Sequence, residues 1–137
     1  MAGLADSLQI AAAGMHAQGD RLRVVAENIA NADSTASTPG GTPYRRKVVV
    51  FQNMLDKELG IQTVKVAKRG YDMSEFNKKY DPTHPAADAQ GYVLYPNVNS
   101  IVEMMDMREA RRGYEANLDV VQVSKAMLSQ TINLLKQ

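Results

Sequence analysis

Apolar residues recur along this chain in two helical rhythms, one at each end, separated by a stretch governed by turns. From Leu4 the positions Leu8, Ala11, Met15, Gln18, Leu22, Val25 and Ile29 follow at alternating steps of four and three, the a/d spacing of a coiled-coil seam. Four such heptads predict an amphipathic helix of about 27 residues, about 40 Å long at 1.5 Å per residue. Gln18 interrupts the seam and Ala11 adds little to it, while Gly14 and Gly19 each cost about 1 kcal/mol relative to Ala in an exposed helix. This helix is expected to be marginal alone and to need a partner along most of its length.

A second helix is predicted from Ser100 nearly to the C-terminus. Ser100-Ile101-Val102-Glu103 reads as a capping box at its entrance. Met107, Ala110, Tyr114, Leu118, Val121, Leu128, Ile132 and Leu135 trace one face, broken at Lys125. Ile101, Val102, Met104, Met105, Val120, Val123, Met127 and Leu134 spread apolar surface further round the cylinder. A face wider than one seam implies more than one helical neighbour, and the surplus is expected to be covered by other subunits.

Between the helices, residues 32–97 hold all five prolines and five of the six tyrosines. Residues 32–43 read as a loop rich in Ser, Thr, Pro and Gly. Tyr44–Phe51, with Val48, Val49 and Val50, predicts a strand. A second, half-buried strand is expected over Thr63–Ala67, closed by Gly70, and a short third over Tyr92–Tyr95, among turns set by Pro82, Pro85 and Pro96. The expected fold is mainly α with a small β-rich centre. Its long N- and C-terminal helices pack as a coiled coil, with strands and loops inserted between them. The segments are 1–31, 32–99 and 100–137.

Charge and chemistry narrow the function. Sixteen Lys and Arg against fifteen Asp and Glu, scattered along the chain, leave a formal charge of +1 and no clustered cationic footprint for nucleic acid. Arg45-Arg46-Lys47 reads as the wet end of a strand. Without cysteine there is no disulfide, thiolate metal site or thiol nucleophile. The apolar runs are far shorter than the roughly 20 residues that span a bilayer, so the chain is not expected to be membrane-spanning. The first 15 residues lack the basic n-region of a secretory signal, so any export is expected to proceed without a cleaved signal peptide. His84 and Asp88 could in principle serve a metal, but two ligands are too few for zinc. A rigid turn in which both bind backbone is the favoured reading, and His16 reads as a helix-surface residue. No catalytic, cofactor-binding or metal residues are expected. Asn28, Asn31, Tyr114 and Asn117 read either as caps and solvent-facing groups or as buried polar groups that fix helix register.

Taken together, Glu27-Asn28-Ile29-Ala30-Asn31-Ala32 and Tyr44-Arg45-Arg46-Lys47-Val48-Val49-Val50-Phe51 resemble the N-terminal signature of the flagellar rod, hook and hook–filament junction proteins. Residues 80–88 and 91–99, with His84, Asp88, Tyr92 and Tyr95, look like the FlgC type, and residues 107–117 are similar to its C-terminal helix motif. The loop 36–42 is longer than that pattern needs, and Gly113 stands where Ala is usual. The resemblance implies a non-enzymatic subunit of the proximal rod in the basal body, crossing the periplasm and exported unfolded by the flagellar type III apparatus. It further implies terminal helices forming the core of a helical tube that transmits torque, with partners that include further copies and the FlgB, FlgF and FliE types. Subunit packing is then expected from Leu4, Leu8, Met15, Leu22, Val25, Asn28, Ile29, Asn31, Met107, Tyr114, Asn117, Leu118, Val121, Leu128, Ile132 and Leu135. Middle-region contacts are expected from Tyr44, Arg45, Arg46, His84, Asp88, Tyr92 and Tyr95. The alternative is a soluble helical adaptor or export-chaperone-like protein, which would share the amphipathic arms.

Overall fold

The computed structural model describes residues 2–56 and 61–136. Helix α1 spans Ala2–Ala30 and α2 spans Ser100–Leu135; between them lie β1 (Lys47–Asp56), β2 (Ile61–Tyr71), β3 (Asn77–Tyr80) and β4 (Tyr92–Tyr95). Two two-stranded sheets result, β1 with β2 and β3 with β4. The fold is thus mostly helical with a β centre. The β1 strand begins later and runs further than the valine run suggested, and β2 continues through Gly70. Asn77-Lys78-Lys79-Tyr80, which has no apolar alternation, is a strand because it pairs antiparallel with β4, Asn77 opposite Tyr95 and Tyr80 opposite Tyr92.

The chain divides into two compact units. The first comprises Met1–Leu22, Val50–Lys68 and Arg108–Gln137; the second comprises Arg23–Val49 and Arg69–Met107. In the first, Gly14 meets Asn117, Gln18 meets Gly113 and Arg21 pairs with Glu109. As α1 advances its partner on α2 recedes, so the two helices run antiparallel. The residues most enclosed here are small: Ala11, Ala17, Ala110 and Ser124. Leu4, Leu8, Met15 and Leu22 are only half-buried. The contact face of α1 in this unit passes through Ala11, Gly14 and Gln18, with the leucines half-buried at its flank, because small residues such as Ala11 and Gly14 let two helix backbones come close.

In the second unit the core is Val24, Val25, Val93, Val98 and Ala86, with the polar Asn28 and Glu103 buried among them. Gly91 adopts φ 87°, and a β-carbon there would sit 2.8 Å from Tyr80 Cε2, so the turn into β4 requires glycine on both counts. Tyr80 and Tyr92 stack edge to face at 5.4 Å, and Lys79 lies over the Tyr95 ring at 4.4 Å.

Candidate assembly surface and its polar junction

The start of α2 departs from the capping box. The Asn99 side-chain oxygen accepts the N–H groups of Ile101 (3.1 Å) and Val102 (3.5 Å), which makes Asn99 the N-cap. Glu103 is freed from that task. Its side chain is fully buried, with one oxygen accepting from Arg46 Nε and the other from Asn28 Nδ2 at 3.3 Å.

Asn28 is saturated. Its Nδ2 also donates to the Lys47 carbonyl (2.9 Å), while its Oδ1 accepts from Lys47 N–H (2.9 Å) and the Tyr44 hydroxyl (2.8 Å). The carboxamide thus satisfies both backbone groups of Lys47, as a neighbouring strand would, where β1 begins. Burial raises the pKa of Tyr44, with Glu27 and Glu103 adding to the rise and Lys47 opposing it. The Lys47 ammonium binds Glu27 at 2.9 Å, which raises its pKa.

Arg46 is the hub of this junction. Besides Glu103 it reaches Asp72 (3.4 Å) and Asp106 (3.5 Å), and its N–H donates to Asn97 Oδ1 (2.8 Å). Burial pulls its pKa down, but the Glu103 bond and the three carboxylates raise it further. Asp72 is held below the usual carboxylate range, first by the Ser74 backbone N–H, then by the Ser74 hydroxyl and Arg46. Arg45 completes the tie to this loop, donating to the carbonyls of Asp72 (2.8 Å) and Ser74 (3.0 Å) with its guanidinium 4.1 Å from the centre of the Phe76 ring.

At the proline-rich turn, His84 Nδ1 accepts from Ala86 N–H (3.0 Å), which leaves the proton on Nε2, 3.2 Å from Thr35 Oγ1. Asp88 Oδ1 accepts the N–H groups of Gln90 and Tyr92, both at 2.9 Å. Both side chains are engaged in shaping the turn. Asn31 donates to the Glu27 carbonyl at the end of α1 and accepts from Ser34 without a left-handed backbone, so it closes the helix through its side chain.

The remaining expected packing residues lie on the helices at graded exposure. Val25 is buried; Ile29, Met107, Tyr114, Asn117, Leu118, Val121 and Leu128 are half-buried; Ile132 and Leu135 are exposed, Leu135 at 76%. Beside them Ile101, Met104, Met105, Val123, Met127 and Leu134 stand open, at 49–72%. No helix among the described residues is long and apolar enough to cross a membrane. Glu103, Asp72, Asn97 and Asp106 were missed by the reading of the sequence. One signal was present for Glu103: it stands seven residues before Ala110, fourteen before Asn117 and twenty-one before Ser124, on the enclosed stripe of α2.

Long helices with open apolar flanks and, in the second unit, a polar junction built from Asn28, Arg46 and Glu103 are the features of a helix-packing structural protein. Two family models match, "Flagella basal body rod protein" over residues 8–36 and "Flagellar basal body rod FlgEFG protein C-terminal" over residues 89–134. The flagellar basal-body rod protein FlgC of Agrobacterium fabrum is 51% identical, covering 97% of this chain and 96% of its own. Those of Borreliella burgdorferi and Salmonella typhimurium are 40% and 42% identical, over 98% and 96% of this chain and 99% and 97% of their own. The chain belongs to the FlgC family of flagellar basal-body rod proteins.

Proposed function

We propose that this chain is a structural, non-enzymatic subunit of the proximal rod, polymerising head to tail into a helical tube that transmits torque through the basal body. The observation that carries this reading is the open apolar surface of α2, from Ile101 to Leu135, which exceeds what one neighbouring helix can cover. Different patches of one surface meeting on successive copies give heterologous contacts, and those that do not close into a ring build open helices. On this reading the terminal segments 1–31 and 100–137 form the tube, packed as coiled coils between subunits, and 32–99 supplies lateral contacts. The partners are further copies and rod proteins of the FlgB, FlgF and FliE types. The rod crosses the periplasm, and the chain reaches it through the flagellar type III apparatus without a cleaved signal peptide.

Charge substitution tests the assignment. Leu22→Asp or Leu128→Asp places an unpaired carboxylate in a subunit interface, at several kcal/mol per copy. Each is expected to abolish rod assembly and swimming. His84→Ala, which loosens only the turn, is expected to leave swimming largely intact. Swimming by Leu128→Asp cells with complete rods would overturn the interface, and loss of swimming by His84→Ala cells with intact rods would place a second function at the turn.

A further inference from the structure

The residues at which α1 and α2 approach in the first unit are reciprocal. Each helix supplies one glycine and one carboxamide: Asn117 lies over Gly14, and Gln18 lies over Gly113. A β-carbon on Gly14 would fall 2.7 Å from Asn117 Nδ2 and 2.9 Å from its Cγ, and one on Gly113 would fall 3.0 Å from Gln18 Nε2. Gly19, five residues on from Gly14, differs, since a β-carbon there would meet only Tyr114 Cε2, at 3.9 Å.

Neither amide is placed for its hydrogen bonds across the helix pair. Asn117 Nδ2 donates back to the Gly113 carbonyl of its own helix (2.9 Å). Gln18 Oε1 is buried and has no hydrogen-bond partner among the described residues. A methionine of similar length would fill the notch without an orphaned acceptor. A polar group kept at a seam position at a cost in stability is the means by which helix pairs specify register.

We propose that Gly14–Asn117 and Gln18–Gly113 form a register lock, the specificity determinant that admits α2 against α1 at one axial position. The apolar residues alone would not enforce it, since Leu, Met and Val recur at each heptad and tolerate sliding. A slip of seven residues would set Gln18 opposite Asp106 or Val120, and Asn117 opposite Ser7 or Arg21, so each amide would lose its glycine notch. The lock concerns the chain's own helix pair and stands or falls independently of the rod interfaces.

Two alanine substitutions on one helix separate the lock from ordinary propensity. Helix propensity favours Ala over Gly at both positions, by about fourfold in the folding constant. Urea unfolding of the full chain is expected to show that gain for Gly19→Ala, and at least a tenfold loss for Gly14→Ala. Combining Gly14→Ala with Asn117→Ala should recover most of the loss, as a coupled pair does. A gain for Gly14→Ala equal to that of Gly19→Ala, or additivity in the double variant, would overturn the lock. Register is read directly because the chain lacks cysteine: R21C with E109C reports the native alignment, and R21C with A116C reports a slip of one heptad. Gly14→Ala is expected to lower the first crosslink several-fold and raise the second, with Asn117→Ala restoring both. Crosslinking unchanged by Gly14→Ala would refute the proposal however stability responds.

Discussion

The two units of this molecule hold their helices by opposite means. In the second, Asn28 uses all its hydrogen-bonding capacity and Glu103 meets Arg46 and Asn28, so a polar core is closed on every side. In the first, small residues and the fit of amides over glycines bring the helices together, and the buried Gln18 Oε1 has no hydrogen-bond partner among the described residues. A fully bonded junction gains rigidity from its low-dielectric surroundings, whereas a half-satisfied layer gives up stability for discrimination. The difference teaches where the chain is finished by itself and where its packing leaves room for improvement.

The largest expected effect is at the finished end. Glu103→Ala takes from Arg46 its one fully buried carboxylate, leaving only the longer contacts to Asp72 and Asp106, and unpairs one Asn28 N–H; breaking one side of a buried pair costs about 3–5 kcal/mol. Urea unfolding followed by circular dichroism should register that loss; a change under 1 kcal/mol, small against that principle's range, would mean the junction is far wetter than its geometry implies. A smaller effect of opposite sign is expected at the other end. Gln18→Met removes the orphaned acceptor and should stabilise the chain by about 1 kcal/mol, while weakening the preference for one register. Destabilisation by this substitution would show that the amide finds a partner.

The smallest effect is in the pH dependence. The folded Asp72 pKa is depressed, so its contribution is fully present above the ordinary carboxylate value of about 4 and is lost as pH falls through the lower folded value. Its side chain is 31% exposed, so solvent screening keeps this contribution modest. Asp72→Asn should flatten the stability profile below about pH 4, its modest loss of stability appearing at neutral pH and vanishing in acid. An acid limb of the same steepness in the variant would assign it to other carboxylates.

Much of the architecture was legible because it follows from periodicity. Both helices and Tyr92–Tyr95 fall where their patterns place them, and the valine run forms the first part of β1. What escaped the pattern has a physical reason in each case. Strand β3 is exposed throughout and owes its existence to the backbone of β4, not to burial of its own side chains. The α1 seam as read includes Ala11 and Gln18, which do face α2, but it passes over Gly14, because a glycine carries no apolar side chain for periodicity to register and its role shows only where two backbones come close. Glu103 was assigned to the local cap because a cap is what nearby residues can disclose. Its actual partners, Asn28 and Arg46, lie 75 and 57 residues away in the chain, beyond the reach of any local rule.

That separation bears on when the molecule can be completed. Closing a loop of such length precedes any reward from the contacts it brings together, and folding dominated by distant contacts is slow. Asn28, Tyr44 and Arg46 are synthesised long before Glu103, so a chain interrupted ahead of α2 carries polar groups that have no counterpart to meet. Full length is therefore a condition the chain sets for its own interior, and a broken copy is marked as unfinished by the exposed halves of its junction.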